Sequence, residues 1–299
     1  MSTPQPGIFA AGTRSHHHLY LDLDAAADPA AAFAALCALR AEATTVKGVN
    51  LVAGLAGPLC AAAAPAWLPA GVAPAVDLVG ADGVTIPGAQ HDLWLWLHSY
   101  GPDAVFDVAR RVATGLDGLA TVAGETPAFT YQASRDLTGF EDGTENPPLD
   151  EATRVIQVPE GRPGAGSSVA LVQHWAHDLA AFDALDDGEK DQVIGRHRIT
   201  GEELPDDVRS PRAHISRVVL EDAAGEELEI FRRSSAYGGV LAHGLEFVAF
   251  SADVSRLERM LRRMVGADDG VRDHLTDISR CAASGWYVAP PVEAFVTGG

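Results

Sequence analysis

The chain has 299 residues, with 41 acidic side chains against 22 lysines and arginines and a formal net charge of -19. That length buries a sizeable core without disulfides or a structural metal, and it suggests two units of about 150 residues each. The charge excludes a general binder of nucleic acid or of anionic membranes, because neutralising phosphates requires clustered positive charge. Any anionic ligand must meet a local basic patch. Cys37, Cys60 and Cys281 lie far apart without a CxxC pair, which reads as reduced thiols rather than a zinc ribbon. The opening segment, MSTPQPGIFAAGTRS, has no basic region before an apolar run and no twin arginine, and no stretch is long enough to span a bilayer. A soluble, cytoplasmic protein is expected.

Residues 18–24, HLYLDLD, alternate between two faces and predict a half-buried strand. The preceding histidines alternate too, leaving His16 and His18 on one face, a structural pattern rather than a metal site. The alanine-rich run 29–43 predicts a helix. A second strand is expected at 92–97, DLWLWL. The segment DAVFDVARRVATGL after Gly101-Pro102 then puts Val105, Ala109, Val112 and Leu116 on one helical face, with Pro102 suited to its first position. In the second half, SVALV (168–172) precedes DLAAF (178–182), and LEFVAF (245–250) precedes VSRLERMLRRMV, where Val254, Leu257, Leu261 and Met264 recur at helical spacing. Each half carries two strand–helix units. The fold class is α+β: two ferredoxin-like, βαββαβ-like halves, 1–150 and 151–299, with antiparallel sheets and helices packed on them.

At the junction stands GFEDGTENP (139–147), followed by the Gly/Pro/Ser-rich EGRPGAGSS. Glycine, Asp-Gly and Asn-Pro make turns. A calcium loop fails on spacing, because with Gly143 at the sixth position Thr138, Phe140 and Leu149 fall where oxygen ligands are needed. A junction is nevertheless where ligand sites concentrate.

Three clusters in the second half bear on chemistry. VIGRHR (193–198) is a basic spot in an acidic chain, and AHISRVVL (213–220) is a strand-like run opened by a histidine. In LEIFRRS (228–234), strand periodicity places Leu228, Ile230, Arg232 and Ser234 on one face and leaves Arg233 on the other, facing solvent. A buried arginine is costly unless it meets an anion or a polar cavity.

Taken in order, GFEDGTENP, IGR, AHISR and FRRSSAYG, with YVAPP near the end, resemble the dye-decolourising peroxidases, and the compact length is similar to their B-type branch. The resemblance implies heme b (iron protoporphyrin IX) held mainly by the second half. It implies His214 as the proximal iron ligand, Asp142 as the distal carboxylate, Arg232 as the distal arginine and Arg196 as the contact to a haem propionate. It also implies that Asp277, in HLTDISR, accepts the other ring proton of His214. Ser234 falls beside the distal water, where relatives often carry asparagine. Val248 and Phe250 share a strand face and are expected to line the distal pocket. Trp175, Trp286, Tyr237 and Tyr287 read as core residues rather than an electron relay.

The implied reaction is reduction of hydrogen peroxide through a ferryl state, followed by one-electron oxidation of dyes, phenols or other small aromatic reductants. Asp142 would move the peroxide proton, a contribution of roughly 10²–10⁴ in rate. Arg232 would stabilise negative charge and keep Asp142 ionised. The alternative is a haem carrier or porphyrin-processing protein, which would share His214 and Arg196 but has no need of the distal pair. A homo-oligomer is expected, and the tail PPVEAFVTGG shows no extended segment for an encapsulating partner.

Overall fold

The computed structural model describes residues 2–45 and 47–296, so the last three residues of the PPVEAFVTGG tail lie outside the described residues. Nine strands form one large sheet: β1 (Ser15–Leu23), β2 (Asn50–Leu55), β3 (Leu93–Ser99), β4 (Ala120–Phe129), β5 (Ser168–His177), β6 (Phe231–Arg232), β7 (Ser235–Gly238), β8 (His243–Ser251) and β9 (Ser279–Ala289). Their order is β5-β9-β2-β3-β1-β4-β7-β8-β6, with β5 also paired to β8. Within that order β4-β1-β3-β2 and β9-β5-β8-β7 repeat one antiparallel arrangement, the ferredoxin-like plan in each half. Pairings of β2 with β9, of β4 with β7 and of β5 with β8 close the two halves into a barrel.

Closure follows from strands that are apolar on both faces. In β3, Leu93, Leu95 and Leu97 pack outward under α1 (Pro29–Thr45) and α2 (Pro102–Gly115), whereas Trp94 and Trp96 fill the barrel interior. Side chains alternate with a period of two, so one run serves two cores. His16 and His18 point into the same interior, where Trp96 Nε1 donates to His16 Nδ1 at 3.2 Å and Trp94 Nε1 to His18 Nδ1 at 3.1 Å. Burial pushes the His18 ring well below its usual pKa, as a structural histidine requires.

The second half shows the same alternation with a different outcome. On β8, Val248 and Phe250 are fully buried in the barrel interior against Trp94 and Tyr287. This corrects the expectation that the two line a distal pocket: they share a face, but the opposite one. Leu245 and Phe247 instead face outward. Over them lies α6 (Val254–Met264), capped by Asp253 through Ser255 N at 2.9 Å and ending on Arg262 and Arg263, which suit the negative end of the helix dipole. Val254, Leu257, Leu261 and Met264 are its buried face, as their spacing predicts.

Two further expectations change. The run 213–220 is not a strand: His214–Val218 forms a helical turn, α5, despite its β-branched residues. The turn is held from outside, where Arg217 donates to Arg263 O and, at 2.8 Å, to Asp269, so tertiary contacts override local propensity. Arg233 is not solvated either. It lies over the Trp96 ring at 5.3 Å and donates to the Ile8 and Ala10 carbonyls, and burial lowers its pKa to about 10.

Phe250→Ala should cost about 3–5 kcal/mol of stability, the usual range for emptying a buried aromatic site. Urea unfolding checks it, and a loss below 1 kcal/mol, on the order of a surface substitution, would contradict the packing described.

Candidate active site

Between the outer face of β5 and β8 and the helices α5 and α6 lies a cavity with about 1590 Å³ of atom-free space, its mouth included. Leu171, Trp175, Leu245 and Phe247 rise from the strands, and Ile215, Val218, Leu257, Met260, Leu261 and Met264 descend from the helices. The polar groups that reach it include His214, Asp142, Arg232, Arg196 and the pair Asp136–His177. An apolar chamber with a few convergent polar groups is what a flat, mostly apolar ligand requires.

His214 opens α5 after Ala213, which is extended with φ -59° and ψ 142°. Its Nδ1 bonds to Asp273 Oδ2 at 2.7 Å, and Asp273 is fully buried. An Nδ1–H donated to that carboxylate leaves Nε2 with its lone pair available to a metal. Asp277, expected in this role, is elsewhere. It pairs with Arg212 at 2.8 Å, with Arg272 and with His274 at 3.2 Å. Although burial disfavours its charge, those partners hold its carboxyl below the usual range. The two aspartates are one helical turn apart, and the more buried of them faces His214.

Asp142 is placed by its loop. Gly139 (φ +89°) and Gly143 (φ +78°) take left-handed conformations that side chains rarely adopt. Arg135 donates to Gly139 O at 2.7 Å, and Asp142 N to Ser134 O at 3.1 Å. The carboxylate comes within 3.8 Å of Arg232 Nε, with about a quarter of its side chain accessible. Asp142 borders both this cavity and a second one lined by Phe9, Thr13, Tyr131, Asn146 and Ser234. Burial raises the Asp142 pKa; Arg232 opposes the rise, and the charge of Asp136 adds to it. The buried Ser234 hydroxyl makes no full hydrogen bond to a described residue, yet it lies near enough to Asp142 to favour the ionised form weakly. Glu141 is exposed, as expected for the neighbour of an inward carboxylate.

Arg196 follows Gly195, whose left-handed φ of +93° ends α4 (Asp187–Ile194). Its guanidinium reaches the cavity wall and is engaged by Glu145 and, at 2.6 Å, by Glu203. Glu203 has a second partner in Arg209 at 3.0 Å, so it stays paired if Arg196 turns to another anion. His177 and Asp136, which no motif in the sequence marks, form a further pair at the cavity. His177 Nε2 bonds to Asp136 Oδ2 at 3.0 Å and its Nδ1 to Ser279 Oγ at 2.7 Å. Burial would raise Asp136, but His177 and Thr138 outweigh it and hold the carboxyl below its usual range. Of the four aromatics considered as a relay, Trp175 lines the cavity and Tyr287 is wholly inside the barrel.

The residues fit a haem. One imidazole, fixed from behind, offers a single ligand, and among the described residues no three His, Cys, Asp or Glu side chains gather to hold a bare ion. That donor set suits a metal carrying its other ligands in an apolar macrocycle. Fold and site thus define a protein of two ferredoxin-like halves with an apolar chamber in the second, into which His214 enters braced by Asp273 and which a carboxylate and an arginine guard.

The family model described as the C-terminal part of Dyp-type peroxidases matches residues 133–294. The dye-decolorizing peroxidase of Brevibacterium linens is 34% identical over 226 residues, covering 74% of this chain and 61% of that protein. A variant of DypB from Rhodococcus jostii RHA1 in complex with heme superposes with a TM-score of 0.87 at 28% identity, covering 96% of each chain. The encapsulated DyP-type peroxidase from Mycobacterium smegmatis gives 0.91 at 27% identity, covering 99% of this chain and 98% of that one. The chain belongs to the Dyp-type peroxidase family, and it spans about three-fifths of the length of the curated relatives it matches.

Arg232→Leu removes the charge that opposes the rise of Asp142, and Asp136→Asn removes one that adds to it. The carboxyl infrared band of Asp142, identified by its loss in Asp142→Asn, should therefore titrate at higher pH in the first variant and at lower pH in the second. Identical midpoints would overturn this electrostatic account.

Proposed function

We propose that the chain is a haem-dependent peroxidase of the B-type branch, taking hydrogen peroxide as acceptor and dyes, phenols or other small aromatic reductants as donors. The observation that carries this reading is the pairing of two polar constellations on one apolar chamber: His214 with Asp273, and Asp142 with Arg232. A family member solved with heme supports the cofactor. Bound haem supplies an open iron position for peroxide and the capacity to store two oxidising equivalents.

This chain's residues do the rest. His214 Nε2 holds the iron, and Asp273 keeps the ring oriented and electron-rich. Arg196 pairs with a propionate. Asp142, ionised, accepts the proton from one peroxide oxygen and delivers it to the other, which leaves as water. Arg232 stays protonated, stabilises the negative charge that develops and favours the carboxylate form of Asp142. Ser234, with its free hydroxyl, orients water or peroxide beside them. The apolar walls keep bulk water from the reacting oxygens. A carrier or porphyrin-processing protein would need His214 and Arg196 but has no use for an acid beside an arginine.

Among the described residues no helix is long and apolar enough to cross a membrane. We place the enzyme in the cytoplasm as a homo-oligomer, with the chain divided near residue 150 and the second half carrying most of the haem contacts. An encapsulated relative makes a shell-forming protein a reasonable partner to test by co-purification.

Haem-loaded protein should show a Soret band that one equivalent of peroxide shifts; no band ends the haem reading, and an unchanged band favours a carrier. His214→Ala should abolish five-coordinate histidine ligation. Asp273→Asn should weaken the iron–histidine stretch in the resonance Raman spectrum while Asp277→Asn leaves it in place, and the reverse result would restore Asp277. Asp142→Ala and Arg232→Leu should each slow the peroxide reaction by at least about 10²-fold.

A further inference from the structure

We propose that Asn146 is the positioning residue of the distal site: its carboxamide lies along Arg232 as a neighbouring strand would, and so sets the distance between Arg232 and Asp142. The inference rests on the distal roles proposed above for those two residues.

Strand β6 has two residues and one partner strand, with Phe231 opposite Phe250 and Arg232 opposite Ala249 on β8. The amide nitrogen and carbonyl of Arg232 point to the other edge. Both are taken there by one side chain: Asn146 Nδ2 donates to Arg232 O at 2.8 Å, and Arg232 N donates to Asn146 Oδ1 at 2.8 Å. A carboxamide reproduces the donor and acceptor of a peptide group, so it can complete a strand edge in the space of one residue. Serine is too short to span both atoms, and aspartate lacks the donor.

The other end of the link is the loop that carries Asp142. Asn146 N donates to Gly143 O at 2.9 Å, closing a turn directly after the carboxylate. A Cβ at Gly143 would stand 2.8 Å from Asn146 Nδ2, so the glycine both makes the turn and leaves room for the amide. Asp142 and Arg232 themselves are 3.8 Å apart, beyond a hydrogen bond. Their heads do not lock one another. The backbones beneath them fix the gap, and the two backbones meet at Asn146. A group misplaced by about 1 Å in such a site costs on the order of 10²-fold in rate.

The test uses the haem-loaded enzyme with Asn146→Ala, and with the nearly isosteric Asn146→Asp in case alanine does not fold. In Asn146→Ala the backbone amide of Arg232 should exchange with deuterium at least about ten-fold faster, since its acceptor is gone. The second-order rate with peroxide should fall about ten-fold or more in both variants, and its acid limb should move to higher pH as Arg232 drifts from Asp142. Combined with Arg232→Leu, each substitution should add less than about two-fold, because the partner it positions is absent. Unchanged exchange at Arg232, or a rate loss that persists in full beside Arg232→Leu, overturns the positioning role. If Asp142→Ala and Arg232→Leu both react at the wild-type rate, the distal reading falls and the catalytic consequence of Asn146 falls with it.

Discussion

The structure depends on a sheet that closes on itself while remaining apolar on both sides. An open sheet of nine strands would leave two edges, each a template for pairing with another chain. Here β4 meets β7 and β2 meets β9, so the two halves satisfy one another's edges, while β5 meets β8 within the second half. The inner face holds the stacked tryptophans and histidines as a rigid filling. That filling leaves the outer face free for separate tasks. On the first half it carries helices over a dense core, and on the second the covering helices stand off far enough to leave a chamber.

Within the chamber, charge is arranged by depth. Asp142 sits where burial opposes its ionisation, and one arginine counters that burial without a direct hydrogen bond. A tight ion pair would favour the charged carboxylate strongly, whereas unopposed burial would favour the protonated one. Asp136 and His177 extend the same field one step further, since a buried aspartate near Asp142 is tolerable only with a histidine against it.

Much of this was legible in the residues. Period-two alternation located β1, β3 and β8, and helical spacing located α2 and α6, because long amphipathic runs carry their own fold signal. Shorter runs did not. Residues 213–220 carry the β-branched Ile215, Val218 and Val219 and read as extended, yet Arg217, gripping Arg263 and Asp269, holds His214–Val218 in a turn. Alternation also gives two faces without saying which is inside, so it groups Val248 with Phe250 but does not tell the barrel interior from the chamber. The carboxylate behind His214 carried no spacing signal that separates Asp273 from Asp277, since both lie in one polar stretch and only burial distinguishes them. Arg232 was legible as an inward arginine; that its backbone is held by Asn146 was not, because a contact across 86 positions leaves no local trace.

The adjacent arginines that end and follow β6 make the strand unusually intolerant of slippage. Arg232 enters the chamber while Arg233 turns into the tryptophan-lined interior and fastens the backbone of Ile8 and Ala10. A shift of one residue would exchange their sides at no change in composition or charge. The N-terminal segment, distant in sequence from the groups that line the chamber, therefore acts as a gauge block for this strand. A remote stretch of backbone decides which of two identical side chains enters the chamber.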